Sequence, residues 1–254
     1  LIRLPHQPAI SLYVQADMMT IQLHSVYQHE RTNSLRADAA VLLNLSPDHL
    51  DRHGEFNNYC NVKKKIFNNQ LQGDTSVIGV GTDSTKLIFS DLTAKNGRRI
   101  IPVSANKSLG RGVSVVSSKL YSNITGKCVE ICDLSKAKAL SGRHNHENAA
   151  AAYASIQSLG LNIKEIGEAI LSFPGLPHRM EKLGFASAVM FVNDSKATNI
   201  DSAKKALVAF KNILWICGGL QKEGGIDGVN ATSGNVKKAY VIGCNAAEFA
   251  ARLT

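Results

Sequence analysis

The chain has 254 residues, 44% of them hydrophobic and 19% charged, enough apolar material for a full core and too much for a disordered polypeptide. Its longest apolar runs, such as Ala39 to Leu43 and Ala149 to Ala152, fall far short of the roughly 20 residues that cross a bilayer, which excludes a membrane-spanning helix. The 29 Lys and Arg against 20 Asp and Glu give a formal charge of +9, a balance suited to nucleic acid or a phosphorylated small molecule.

Between those two partners the aromatics decide. The only dense basic run is Lys63-Lys64-Lys65, and no aromatic residues interleave with the positive ones as a stacking platform requires. The expectation is therefore a small anionic ligand and no nucleic acid. The N-terminal Leu1-Ile2-Arg3-Leu4-Pro5 shows neither a signal-peptide pattern nor an initiator Met, so the chain reads as cytoplasmic and as a fragment. Five scattered cysteines, with no Cys-x-x-Cys pair, exclude a disulfide scaffold or structural zinc. Cys128 and Cys132, in an alternating segment, read as buried strand thiols.

In chain order, residues 37 to 45 form a short apolar run stopped by Ser46-Pro47, as expected of a buried parallel strand entering a functional loop. Further strands are predicted over 75–80, 99–103, 113–116 with 119–124, and 127–132. Turn signals at Asn96-Gly97 and Gly110-Arg111-Gly112 separate them. Helical apolar spacing covers 148–159 and 162–171, with Gly160 ending the first helix. Two prolines and a glycine in Phe173-Pro174-Gly175-Leu176-Pro177 mark a linker, which predicts domains over 1–174 and 175–254. Beyond it, strands at 188–192, 213–217 and 239–242 alternate with helices at 200–210 and the C-terminus. That alternation predicts a parallel, doubly wound sheet that binds ligands at the carboxyl ends of its strands, where 193–199 and 218–222 fall.

Several segments carry chemistry. Asn44 to His53 packs two carboxylates, two imidazoles and a guanidinium after a strand, a site or an internally bonded polar loop. Arg143 to Asn148 opens an Ala-rich helix whose N-terminus either faces an anion or is capped by Asn145. Asn193 to Asn199 suits phosphate or ribose recognition, or else Asp194 or Ser195 caps the next helix. Gly218-Gly219 permits close backbone approach and leaves Lys222 in the following loop.

Taken in order, Leu-Asn-Leu-Ser-Pro-Asp-His-Leu-Asp-Arg-His-Gly (43–54), Gly-Arg-His-Asn-His-Glu-Asn-Ala-Ala-Ala-Ala (142–152), Phe-Pro-Gly-Leu-Pro-His-Arg-Met-Glu (173–181), Asn-Asp-Ser-Lys-Ala-Thr-Asn (193–199) and Gly-Gly-Leu-Gln-Lys-Glu-Gly-Gly (218–225) resemble the Mur ligases of bacterial peptidoglycan synthesis, in particular the D-glutamate-adding branch. The resemblance implies an α/β fold: an incomplete central P-loop-type ATPase domain followed by an incomplete Rossmann-like C-terminal domain. It also implies an ADP-forming ligase that joins D-glutamate to UDP-N-acetylmuramoyl-L-alanine through an acyl phosphate, acting as a monomer with no membrane partner. ATP is a substrate and Mg²⁺ a cofactor. By the same resemblance His49 and Lys63 bind the metal, Lys63 as a carbamate, with the adjacent Lys64 a rival for that role. Asn145, Asn148, Arg179 and Asp194 contact the nucleotide. Lys196 neutralises charge nearby, and Thr198 and Lys222 contact D-glutamate.

Two features depart from the family pattern. No Gly-x-x-x-x-Gly-Lys-[Ser/Thr] occurs, although such a loop cradles ATP phosphates. Leu23 stands where Glu-x-Ser-Ser-[Phe/Tyr]-Gln would place its Glu, in Leu23-His-Ser-Val-Tyr-Gln28. Residues 1 to about 31 fit the pattern poorly, and the C-terminal part that helps hold D-glutamate is absent. A second reading follows, a non-catalytic remnant or nucleotide-binding module of the family.

Overall fold

A computed structural model describes residues 31, 33–46, 50–94, 97–220, 226, 229 and 234–253. The chain forms two compact units, residues 1–102 and 103–254.

The first unit contains β1 (Ala39–Leu42), α1 (Leu50–His53), α2 (Phe56–Lys64), a 3-10 turn over Lys65–Phe67, β2 (Thr75–Gly79) and α3 (Asp83–Thr93). β3 (Arg99–Ser104) crosses the division. β1 and β2 run parallel, Ala39 opposite Thr75 through Leu42 opposite Ile78. All five residues of β2 are buried, the mark of a strand covered on both faces. Its last residue must be glycine, because a Cβ on Gly79 would lie 2.0 Å from the Leu43 carbonyl oxygen. Ala40, Leu42, Leu45, Tyr59, Phe67 and Ile78 join Ile88 and Leu92 of α3 in one core.

A polar network ties the residues before β1 to those around β2. Arg36 forks onto Asp74, Nε to Oδ2 at 3.0 Å and Nη2 to Oδ1 at 2.8 Å, and the Leu71 N–H donates to the same carboxylate at 2.7 Å. The guanidinium holds the buried Asp74 carboxyl below the usual carboxylate range, against the opposing effect of burial. Gln70 donates to the carbonyls of Ala37 and Thr75, both at 3.0 Å, and accepts from Ser76 Oγ at 2.6 Å. The entry to β1 is thereby tied to β2.

In the second unit β3 pairs in parallel with β4 (Val113–Val116) at Val103 and Ser104. β4, β5 (Lys119–Ser122) and β6 (Val129–Asp133) then form an antiparallel meander. α4 (Arg143–Ile156) lies against β4 and α5 (Ile163–Ser172) against β6. Gly167 sets how closely α5 approaches, since a Cβ there would be 2.9 Å from the Ile131 carbonyl oxygen. β7 (Glu181–Ala186) and β8 (Val189–Asn193) make an antiparallel hairpin. α6 (Ile200–Ala209), β9 (Ile213–Gly218), β10 (Val236–Ile242) and α7 (Ala246–Leu253) follow, with β9 and β10 parallel. Leu207, Ile226, Val229 and Phe249 form a small core here.

The architecture is α/β as expected, with corrections. Pairing is mixed: the β4–β6 meander and the β7–β8 hairpin are antiparallel, because turns of two to six residues join their strands and cannot make a parallel crossover. Cys132 is buried, and burial pushes its thiol up to about 11. Cys128 is exposed, for it precedes β6 and takes no part in the alternation. The helices α1 to α3 and the strand β7 are additions to the elements predicted. α2, Phe-Asn-Asn-Tyr-Cys-Asn-Val-Lys-Lys, buries only Tyr59, so its apolar periodicity is faint.

Candidate functional site

The candidate site in the second unit is built from two motifs on either side of the β7–β8 hairpin. In the turn before β7, His178 and Met180 both have left-handed backbones, φ 65° and 47°, a conformation that costs a non-glycine residue about 1–3 kcal/mol and persists only where its surroundings enforce it. Arg179 lies between them, its N–H donating to the Leu176 carbonyl at 3.2 Å. After β8, Asp194 Oδ1 accepts the Met180 N–H at 2.9 Å, and the Lys196 N–H donates to the His178 carbonyl at 3.1 Å.

The two segments are thus one assembly that brings Arg179, Asp194, Lys196 and Thr198 together. Arg179, Lys196 and Thr198 are exposed and Asp194 is half-buried. Burial raises the Asp194 carboxyl above its ordinary value, opposed by the Met180 N–H and by the nearby Arg179 guanidinium. Such a set offers a carboxylate to hydroxyl donors and two cations to phosphate oxygens.

Neither Asp194 nor Ser195 caps α6. The cap is Asn199, whose Oδ1 accepts the Ser202 N–H at 2.8 Å, so Thr198 stands just ahead of the helix. Likewise Asn145 does not cap α4: the cap position is Gly142, with φ 93°, and Asn145 Nδ2 instead reaches back to the Ser141 carbonyl at 2.9 Å. Asn148 is exposed one turn further along. His144 lies over Gly142, where a Cβ would come within 3.1 Å of its ring. Burial lowers the His144 imidazole, with Lys205 of α6 and His146 adding to the effect. Burial raises the Glu147 carboxyl against the pull of Arg143 and Lys205. The first turn of α4 therefore lies beside the helix that leaves the Asn193–Asn199 loop.

In the first unit, His49 lies outside the described residues. His53 is buried edge-on against Tyr59, ring centroids 5.7 Å apart, and Tyr59 stacks on Phe56 at 6.2 Å. One helical turn on, Lys63 Nζ is 5.8 Å from the Tyr59 ring centroid. Its neighbour Lys64 is ion-paired with Asp91 of α3. The adjacent lysines thus occupy different surroundings, one beside a buried aromatic pair and one in a surface ion pair. Tyr59 lies outside the family motifs, although its spacing of four residues from Lys63 on α2 signals a shared face. Among the described residues no three His, Cys, Asp or Glu side chains form a cluster that would hold a metal ion. An ammonium offers a cation no lone pair, so a fit to Mg²⁺ depends on His49 and on modification of Lys63.

Lys222 also lies outside the described residues. The start of its loop is fixed by Gly218, with φ 148°, where a Cβ would be 1.8 Å from the Ile242 carbonyl oxygen. No described helix is long and apolar enough to cross a membrane.

Residues 16–156 match the model of the Mur ligase middle domain, and the chain belongs to the Mur ligase family. The match reaches back to residue 16, further toward the N-terminus than the motifs alone indicated. The chain is similar to the UDP-N-acetylmuramoylalanine--D-glutamate ligase of Caulobacter vibrioides, 47% identical over 219 residues that cover 86% of this chain and 46% of that protein. It is similar also to the enzyme of that name from Ruegeria pomeroyi, 44% identical over 245 residues, 94% of this chain and 52% of that one. The chain spans about half the length of the curated relatives it matches. Among solved structures, MurC from Thermotoga maritima superposes with a TM-score of 0.60 at 16% identity, over 90% of this chain and 50% of that one. MurF from Acinetobacter baumannii gives 0.58 at 16%, over 90% and 55%. At such identities the likeness is one of fold.

Proposed function

We propose that the chain is the ATP-handling middle domain, residues 1–174, and the first part of the C-terminal domain, residues 175–254, of a cytoplasmic ligase that adds D-glutamate to UDP-N-acetylmuramoyl-L-alanine in peptidoglycan synthesis. The observation that carries this reading is the joining of Arg179 and Asp194 by the turn before β7 and the loop after β8, in a chain whose relatives bear that ligase name. In the first step a substrate carboxylate oxygen attacks the γ-phosphorus of ATP and ADP departs, leaving an acyl phosphate. In the second the D-glutamate nitrogen attacks the acyl carbon, loses a proton and expels phosphate.

Arg179 takes phosphate oxygens and Asp194 the ribose hydroxyls, with Asn145 and Asn148 as further nucleotide contacts. Lys196 offsets charge that spreads over the transferring group, which is where electrostatic stabilisation acts most strongly. Thr198 and Lys222 receive the D-glutamate carboxylates. Mg²⁺, typical of the family, is assigned to His49 and a carbamate on Lys63, where it would draw together two anionic reactants. The protein acts as a monomer on small anionic molecules and has no nucleic-acid partner.

The test uses the longest chain the gene encodes. Phosphate release requiring ATP, D-glutamate and UDP-N-acetylmuramoyl-L-alanine together is the expected result; release without D-glutamate overturns the reading. Lys63→Ala is expected to abolish turnover and Lys64→Ala to spare it. The reverse pattern would move the carbamate to Lys64. A second reading, a nucleotide-binding module without catalysis, is favoured by Leu23 in place of the family Glu. It predicts ADP binding with no phosphate release.

A further inference from the structure

The left-handed residues flanking Arg179 are held from the hairpin. Glu181 and Asn193 face each other as a cross-strand pair of β7 and β8. Glu181 Oε2 accepts the His178 N–H at 2.8 Å. Asn193 spans the gap, its Nδ2 lying 2.8 Å from His178 Nδ1 and 3.4 Å from Glu181 Oε2. Asn193 Oδ1 meanwhile accepts the Ser195 N–H at 3.1 Å. With that oxygen engaged as the acceptor, the amide nitrogen is the donor, so the imidazole accepts at Nδ1 and carries its proton on Nε2. Together with the Lys196 and Asp194 bonds to His178 and Met180, these contacts fix the backbone on both sides of Arg179.

We propose that Glu181 and Asn193 are positioning residues for nucleotide binding: they hold the His178–Met180 turn in its left-handed form and so aim the Arg179 guanidinium. The inference rests on the reading above that Arg179 meets a nucleotide phosphate. Neither residue needs to touch the ligand. An arginine on a relaxed turn would have to be ordered when the nucleotide arrives, whereas one on a braced turn is ordered beforehand. The His178 and Met180 N–H groups are both bonded in this left-handed form, which offsets its strain.

The experiment measures ADP binding by calorimetry on the longest chain the gene encodes, with thermal unfolding and D-glutamate-dependent turnover in parallel. Glu181→Ala and Asn193→Ala are each expected to weaken ADP binding about five- to twentyfold, with the KM for D-glutamate changed less than about twofold where turnover is present. Glu181→Gln keeps a carbonyl oxygen for the His178 N–H and is expected to retain ADP affinity within about threefold. Adding Glu181→Ala to Arg179→Ala is expected to cost nothing further, because Glu181 acts through Arg179.

Unchanged ADP affinity in Glu181→Ala, equal damage from Gln and Ala, or losses that multiply in the double variant would overturn the proposal. Should Glu181→Ala fail to fold, Asn193→Ala combined with Arg179→Ala decides between the same outcomes. Absence of turnover in the unaltered protein would overturn the ligase reading instead, and the ADP series would still decide the positioning role.

Discussion

β2 and β9 are both parallel strands that end on a glycine pressed against a neighbour's carbonyl oxygen, yet they sit in very different surroundings. Every residue of β2 is buried. β9 alternates, with Leu214 51% and Ile216 69% exposed. β2 is therefore covered on both faces, whereas its neighbour β1 buries only Ala40 and Leu42. The stretch from Pro177 onward relies more on backbone pairing and on polar contacts such as those around His178. The candidate nucleotide contacts Arg179 and Asp194 lie in that second kind of environment, where a turn is shaped by hydrogen bonds.

The comparison breaks first at the glycines. In Gly79→Ala the new Cβ meets backbone at 2.0 Å, and β1 and β2 cannot part without opening the core, so a loss of about 3–5 kcal/mol is expected. Gly218→Ala makes an equally close contact, 1.8 Å, at a positive φ. With one face of β9 open the strands have room to shift, and a loss of about 1–3 kcal/mol is expected. Urea unfolding of the two variants checks this; equal losses would show that β9 is as confined as β2.

Side-chain truncation sharpens the same contrast. Ile78 is fully buried and Ile78→Ala is expected to cost about 2–5 kcal/mol. Ile216→Ala is expected to change stability by less than about 0.5 kcal/mol. A loss above about 2 kcal/mol in Ile216→Ala would mean that this face of β9 is covered in solution.

How much of this was legible in the sequence follows the same division. Residues 75–80 read as a strand because β-branched and apolar residues, Thr75, Val77, Ile78 and Val80, predominate between turn residues. β7, Glu-Lys-Leu-Gly-Phe-Ala, contains a glycine at a register shift and is exposed along most of its length, so it has neither the run nor the alternation that marks a strand. The family motifs led to Arg179 and Asp194 directly. They did not show that Glu181 and Asn193 brace the turn, because that contact depends on cross-strand register. The choice of Asn199 over Asp194 or Ser195 as the cap of α6 was equally hidden, since three capping residues compete within six positions and the Met180 N–H engages Asp194.

The smallest expected effect concerns acid, and it has opposite signs in the two regions. In the first unit Arg36 lowers the folded pKa of Asp74. Between its folded and unfolded values the unfolded chain binds more protons, so this contribution is complete above the unfolded carboxylate value of about 3.9 and is lost as pH falls through the folded value. Asp194 is raised, chiefly by burial. There the folded state binds more protons, so its contribution is greatest below about 3.9 and is lost as pH rises through the folded value. Acidification should therefore loosen the Asp74 region while tightening the Asp194 turn. Amide exchange separates the two, with the Leu71 N–H reporting on Asp74 and the Met180 N–H on Asp194. After correction for the intrinsic pH dependence of exchange, protection at Leu71 is expected to fall as pH drops below about 4 and that at Met180 to hold or rise. Asp74→Asn should flatten the first trend and Asp194→Asn the second. Parallel trends at both amides in the unaltered chain would show that the half-buried Asp194 carboxyl is governed by Arg179 after all, as Asp74 is by Arg36.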